Sequence, residues 1–186
     1  MPPEKQPNVG LFLHGERALL MDNLTALNFL PQDQLNLAYL HEVRELNRYR
    51  GLALSFLPFD PPISRLMDAI GMECVHRLCS LQEVASQMDL GACVSANQQK
   101  EPPFFNKVSK HFFVVDENMG HHLLVNAEKA AEATSAFFGW MLETNATPEL
   151  HQPLFDFVTQ KTKECFVLRE CQEQWRVGSS ELNLAM

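Results

Sequence analysis

Apolar residues recur along most of this chain at the spacing of a helical face, and four segments sustain the pattern long enough to build a bundle. A shorter stripe precedes them: Leu19, Leu20, Leu24, Leu27 and Leu30 recur over 15–30 and stop at Pro31, which predicts an accessory N-terminal helix within residues 1–32. The first bundle helix, α1, is expected over 34–57, capped by Asp33, carried by Leu37, Leu40, Leu46, Leu52 and Phe56, and stopped by Pro58. Asp60-Pro61-Pro62 then joins a capping oxygen to two prolines suited to a first turn, opening α2, which runs to about Met88.

From 89 to 118 the helical period disappears. Gly91, Pro102 and Pro103 break the chain, and Phe112-Phe113-Val114-Val115 is at most a short extended piece. So long a connection in a compact domain has to span the body or act, and four-helix bundles of the crossover type contain one such join. Periodicity resumes in α3, expected over 119–143, and in α4, from Pro148 or Pro153 to Trp175, with 177–186 as a flexible tail. The pattern predicts an all-α fold: one domain over 1–186, its bundle in 33–176, with a long crossover between α2 and α3.

Composition narrows the function classes. A length of 186 residues suits one domain with a substantial core, and with 46% apolar residues no stretch is unbroken enough for a membrane span. The start, Met1-Pro-Pro-Glu-Lys-Gln-Pro, lacks the basic and then apolar order of a secretory signal, which predicts a cytoplasmic chain with reduced thiols. Cys74, Cys79, Cys93, Cys165 and Cys171 contain no Cys-x-x-Cys pair and read as free, mostly buried thiols. A formal charge of −8, without a basic stripe interleaved with aromatics, argues against a nucleic-acid partner.

The candidate chemistry lies in acidic residues on the helices. In α1, Glu45 and Tyr49 are one turn apart on a face shared with Leu52 and Phe56, and a carboxylate on an apolar stripe needs a cation, a proton or strong hydrogen bonds. In α2, Glu73 and His76 stand at i and i+3, where one metal ion reaches both. In α3, His121, Glu128 and Glu132 follow at steps of seven and four; in α4, Glu164 shares a face with Gln160, Val167 and Cys171. Carboxylates with an occasional imidazole suit iron or manganese.

Glu45-x-x-x-Tyr49, Glu73-x-x-His76, a glutamate of α3 and Glu164 of α4 together resemble the ligand order of ferritin-like dimetal-carboxylate bundles, in particular the rubrerythrin and bacterioferritin branches. The separations agree: 28 residues from Glu45 to Glu73, 32 from Glu132 to Glu164, and 56 from His76 to Glu132 for the crossover. The resemblance implies metal ligands Glu45, Glu73, His76, Glu132 and Glu164, with Glu128 as alternative to Glu132. Within that set Glu45 and His76 are terminal, Glu73 and Glu164 bridge, and Tyr49 stands beside the metals. It also implies Fe or Fe/Mn as cofactor. One departure is plain, because Val167 stands where the pattern expects a second histidine after Glu164. Cys171, His121 or His151 replaces it only if the helices are rotated.

Each feature also has a simpler explanation. A single Glu-x-x-His is commonly a solvent-facing pair, Tyr49 a buried phenol with a hydrogen-bond partner, and His41, Glu42 and Arg44 an exposed charged face. Phe137, Phe138 and Trp140 suit the core, or a homodimer contact if exposed. Two functions follow. One is a metal-dependent oxidoreductase or oxygenase of undetermined substrate. The other is a non-enzymatic helical module that binds a partner or small molecule and carries a degenerate metal site; Val167 favours it.

Overall fold

The computed structural model describes residues 30–92 and 113–184, with side chains through Trp175, and among these residues there are four long helices and no strand. They are α1 (Pro31–Phe56), α2 (Pro61–Gln87), α3 (Glu117–Glu143) and α4 (Pro148–Leu184). The expected accessory helix and most of the 89–118 connection lie outside the described residues. The bundle belongs to one compact unit, Pro31–Met186. The all-α four-helix bundle expected from periodicity is therefore the observed fold.

Local chemistry sets the helix ends. Asp60 accepts from the Ile63 amide at 2.9 Å, with proline at the first helical positions of α2, and Asp116 accepts from the Met119 amide at 2.7 Å to open α3. α1 starts at Pro31, so Asp33 lies in its first turn, where a negative charge suits the helix dipole, instead of capping it. Between α3 and α4 the Asn145 carboxamide accepts from the Thr147 amide at 3.0 Å and donates to the Thr147 carbonyl at 2.8 Å, closing a short side-chain turn. α4 continues to Leu184 through residues expected to form a tail, and it accommodates Pro153 near its start.

Contacts between the ends give the topology. Phe56 at the end of α1 and Phe59 just before α2 both meet Trp175 of α4, at ring-centroid distances of 5.9 and 6.0 Å, and Gly120 at the start of α3 lies against the same indole. At the opposite end His41, early in α1, stacks on Phe137, late in α3, at 4.2 Å. Thus α1 and α4 run one way, α2 and α3 the other, and the connection from Gln87 to Glu117 must join opposite ends of a bundle about 40 Å long. The α1–α2 and α3–α4 hairpins then meet through α1 against α3 and α2 against α4. This leaves α1 and α4 diagonally opposed.

The buried faces step by threes and fours. α1 contributes Leu35, Ala38, Glu42, Glu45, Tyr49 and Phe56; α2, Ile63, Met67, Ile70, Cys74, Arg77 and Leu81. α3 contributes Gly120, Leu124, Ala127, Ala131, Thr134, Phe138 and Met141, and α4 contributes Leu150, Leu154, Phe157, Lys161, Glu164 and Leu168. Phe138 is fully buried, and Phe137 and Trp140 are partly buried and pack against the core, Phe137 on His41.

Gly120 marks the closest approach in this packing. A Cβ there would lie 2.5 Å from Trp175 Cζ2, well inside van der Waals contact. Helix propensity alone favours alanine over glycine by up to about 1 kcal/mol. We expect Gly120→Ala instead to destabilise the chain by about 1–3 kcal/mol in denaturant unfolding, because the indole must leave its seat. A neutral or stabilising result would mean that Trp175 yields without cost.

Candidate functional site: a buried ion-pair quartet

Five charged side chains lie on the core stripes just described: Glu42 and Glu45 from α1, Arg77 from α2, and Lys161 and Glu164 from α4. Glu42 and Lys161 are completely buried, Arg77 and Glu45 are 1% exposed, and Glu164 is 7% exposed. An isolated charge at such positions is strongly disfavoured, so the arrangement is decided by pairing.

Four of them close a ring of ion pairs. Arg77 Nε donates to Glu42 Oε2 at 3.0 Å, and Arg77 Nη2 lies 2.6 Å from Glu164 Oε1. Lys161 Nζ lies 3.3 Å from Glu164 Oε2 and 3.1 Å from Glu42 Oε1. Each carboxylate holds both cations and each cation both carboxylates, so two negative and two positive charges cancel. Further donors are used as well: Arg77 Nη1 donates to Gln160 Oε1 at 3.1 Å, Nη2 also reaches Cys74 Sγ at 3.2 Å, and Lys161 Nζ stands 3.9 Å from the same sulfur. Glu42 Oε1 and Glu164 Oε1 meet their cations off the ideal hydrogen-bond direction, as ion pairs.

The electrostatic consequences have a consistent sign. Burial acts to lower the pKa of Arg77 and of Lys161, but the adjacent Glu42 and Glu164 outweigh it and both cations are held more firmly protonated than usual. Burial pushes the Cys74 thiol up to about 12, with Glu42 adding to the shift against Lys161, so this cysteine is a neutral thiol in the ring and no nucleophile. Burial likewise raises the Tyr49 phenol, helped by Glu164 and Glu45, which leaves it un-ionised.

Glu45 sits beside the ring under different conditions. Burial raises its pKa, and the Arg48 ion pair opposes that rise. Nearby, His41 Nε2 meets the Thr134 hydroxyl of α3 at 3.2 Å, and burial lowers this imidazole to about 4. Glu45 Oε2 and the Tyr49 hydroxyl are buried without a hydrogen-bond partner among the described residues.

The expected metal ligands are not brought together. Glu45 and Glu164 reach the interior, but they face Arg48 and Arg77 with Lys161 respectively. Glu73 and His76 lie on the outer face of α2, 53% and 66% exposed, and pair with each other at 3.7 Å, as an isolated Glu-x-x-His often does. Glu132, half exposed, and its alternative Glu128 take a surface ion pair from Arg169, at 2.9 and 2.8 Å. Among the described residues no group of three histidine, cysteine, aspartate or glutamate side chains is disposed to hold a metal ion. The residues present therefore do not fit an Fe or Fe/Mn pair, because two side-chain cations already neutralise the central carboxylates.

Three members of the ring escaped the sequence reading, and each had a signal. Glu42, expected on an exposed charged face with His41 and Arg44, is three residues before Glu45 on the stripe of Leu35, Ala38 and Tyr49. Arg77 follows Cys74 at i+3 and Ile70 at i+7; the Cys74-x-x-Arg77 pair lies one residue, or about 100° of rotation, from Glu73-x-x-His76. Lys161 precedes Glu164 at i−3 and continues Leu150, Leu154 and Phe157. Val167 is 40% exposed, so a histidine there would not have faced the centre.

A shallow, open cleft of about 360 Å³ lies near Trp175, lined by Phe59, Asp60, Glu117 and Cys171 among others. No described helix is long and apolar enough to cross a membrane. Comparisons with protein-family models, curated proteins and solved structures found no match. Fold and site thus define a class, a crossover four-helix bundle with a buried, charge-neutral polar centre.

Two predictions follow from the electrostatics. Lys161→Met, which strands two buried carboxylates on Arg77 alone, should cost about 3–5 kcal/mol in denaturant unfolding, whereas replacing all four members together (Glu42→Leu, Arg77→Met, Lys161→Met, Glu164→Leu) should be neutral or stabilising. Equal losses for the single and fourfold variants would contradict a self-compensating ring. His41 has its folded-state pKa lowered from 6.5 to about 4 by burial, so the unfolded chain binds its proton first and stability falls as pH drops from about 6.5 to about 4. Urea midpoints across that window should show His41→Phe with a shallower pH slope than the parent; an unchanged slope would clear His41 of the effect.

Proposed function

We propose that this chain is a non-enzymatic helical module of metal-bundle architecture, in which side-chain cations stand in the place of metal and the outer helix faces bind a partner. The carrying observation is the closed quartet: Arg77 and Lys161 each bridge Glu42 and Glu164, so the centre has no net negative charge to attract a divalent ion. Its thiol and phenol are held protonated, which deprives the centre of an obvious nucleophile or base. Partner binding is supported by the large apolar side chains left on the outside, among them Leu54, Leu57, Met72, Phe155 and Phe166.

The metal-dependent oxidoreductase reading keeps one supporting observation, the unpartnered Glu45 Oε2 and Tyr49 hydroxyl at the bundle centre. It requires Arg77 and Lys161 to withdraw from carboxylates that hold them on two sides. The discriminating experiment is metal analysis of the full chain expressed with iron and manganese supplementation, alongside Glu42→Ala and Glu164→Ala. The expected result is metal far below one equivalent in all three. Stoichiometric iron or manganese in the parent, lost in either variant, would overturn the proposal in favour of the oxidoreductase.

A further inference from the structure

The outer face of α4 carries two large apolar side chains that the described residues leave exposed. Phe155, Thr159, Thr162 and Phe166 fall at steps of four, three and four residues, and at 100° per residue they lie within about 60° of one another around the helix. Phe155 is 51% exposed and Phe166 61%. The two threonines are exposed as well, but their hydroxyls are satisfied inside the helix: Thr159 Oγ1 donates to the Phe155 carbonyl at 3.0 Å and Thr162 Oγ1 to the Val158 carbonyl at 2.8 Å. Their hydroxyl hydrogens being taken, they present to a partner the methyl group and the acceptor side of the oxygen. The stripe is mainly apolar over three turns.

Its order reads the same in both directions. Phe-x-x-x-Thr-x-x-Thr-x-x-x-Phe has a single midpoint, between Gln160 and Lys161. Two such stripes packed antiparallel about a two-fold axis through that midpoint set Phe155 beside the partner's Phe166, and Thr159 beside the partner's Thr162, at both ends of the contact. An isologous interface requires this kind of self-complementarity, and a stripe meant for an unrelated partner does not need it.

The charges bordering the stripe obey the same symmetry. Asp156 and Lys163 are seven residues apart on one flank, too far along the helix, at about 10 Å, to pair with each other. In the antiparallel arrangement Lys163 of one copy comes within about 3 Å along the axis of the partner's Asp156, twice per dimer. On the same flank Gln152, which donates to Asp156 within its own chain at 2.9 Å, lies level with the partner's Glu170. Phe166 is also braced: the Arg169 guanidinium lies 6.0 Å from its ring centre and is itself tied to Glu128 and Glu132 of α3, so the ring is partly ordered before any contact forms.

We propose that the outer face of α4 is a homodimer interface, with the partner a second copy of this chain docked antiparallel through Phe155, Thr159, Thr162 and Phe166. A contact confined to one helix pair is small, so the association is weak and depends on concentration. It is independent of the metal question, since none of its residues touches the central quartet.

Sedimentation equilibrium of the full chain between about 1 and about 500 µM should show a reversible monomer–dimer equilibrium. Phe166→Asp should weaken it at least about tenfold, with the helical circular dichroism unchanged. Asp156→Lys and Lys163→Asp should each weaken it, while the double reversal should return to within about threefold of the parent, because the two positions meet only across the two-fold axis. A chain that stays monomeric throughout, a dimer indifferent to Phe166→Asp, or a double reversal no better than the singles would each overturn the proposal.

Discussion

The structure depends on pairing four charges in a space that water does not enter. Glu42, Arg77, Lys161 and Glu164 would each carry a desolvation cost of several kcal/mol if buried alone, and only the closed ring, with every carboxylate between two cations, makes the set tolerable. This constraint is directional in a way apolar packing is not. α1 and α4 stand diagonally across the bundle, beyond the reach of most side chains, and Lys161 and Glu42 span that diagonal directly. A rotation of α2 by one residue would replace Arg77 with His76 or Leu78 on the inner face and strand both carboxylates. The ring therefore acts on register: it makes neighbouring packings of the same four helices costly.

The other elements are arranged around that centre. α3 brings no charge to the ring. Its inner face of Gly120, Ala127, Ala131 and Thr134 is narrow, which leaves volume for the long side chains of Arg77 and Lys161 at native packing density. Its bulky positions lie towards the ends, where Phe138 and Phe137 close one end with His41 and Phe157, and Gly120 receives Trp175 at the other. Aromatic contacts thus pack both ends of the bundle, and burial keeps Cys74 and Tyr49 protonated and His41 neutral near pH 7.

Much of this organisation was legible in the sequence, and the limits have physical causes. The four helices, the Asp60 cap with its prolines and the long α2–α3 connection are local or periodic features, readable without tertiary contacts. Glu45 and Glu164 were correctly expected inside. The error lay in phase. Glu73-x-x-His76 attracted attention as a recognisable pair, whereas the stripe of Ile63, Met67, Ile70 and Leu81 passes through Cys74 and Arg77. Continuing the α1 and α4 stripes strictly places Glu42 and Lys161 inside, and adding Arg77 gives a set whose charges nearly cancel. A balanced count on core stripes points to ion pairing, while an excess of carboxylates would have pointed to metal.

By itself, then, the sequence determined that this protein is a bundle of four helices with a crossover, since helical period, proline stops and capping oxygens act within a few residues of one another. It also determined which residues share a helix face. Only the tertiary structure decided which face turns inward and which charges meet there. Rotation of a helix by one residue leaves its local chemistry unchanged, yet it exchanges the exposed Glu73 and His76 for the buried Cys74 and Arg77. The energy that selects between them comes from Glu42, Lys161 and Glu164, which lie on other helices and far away along the chain.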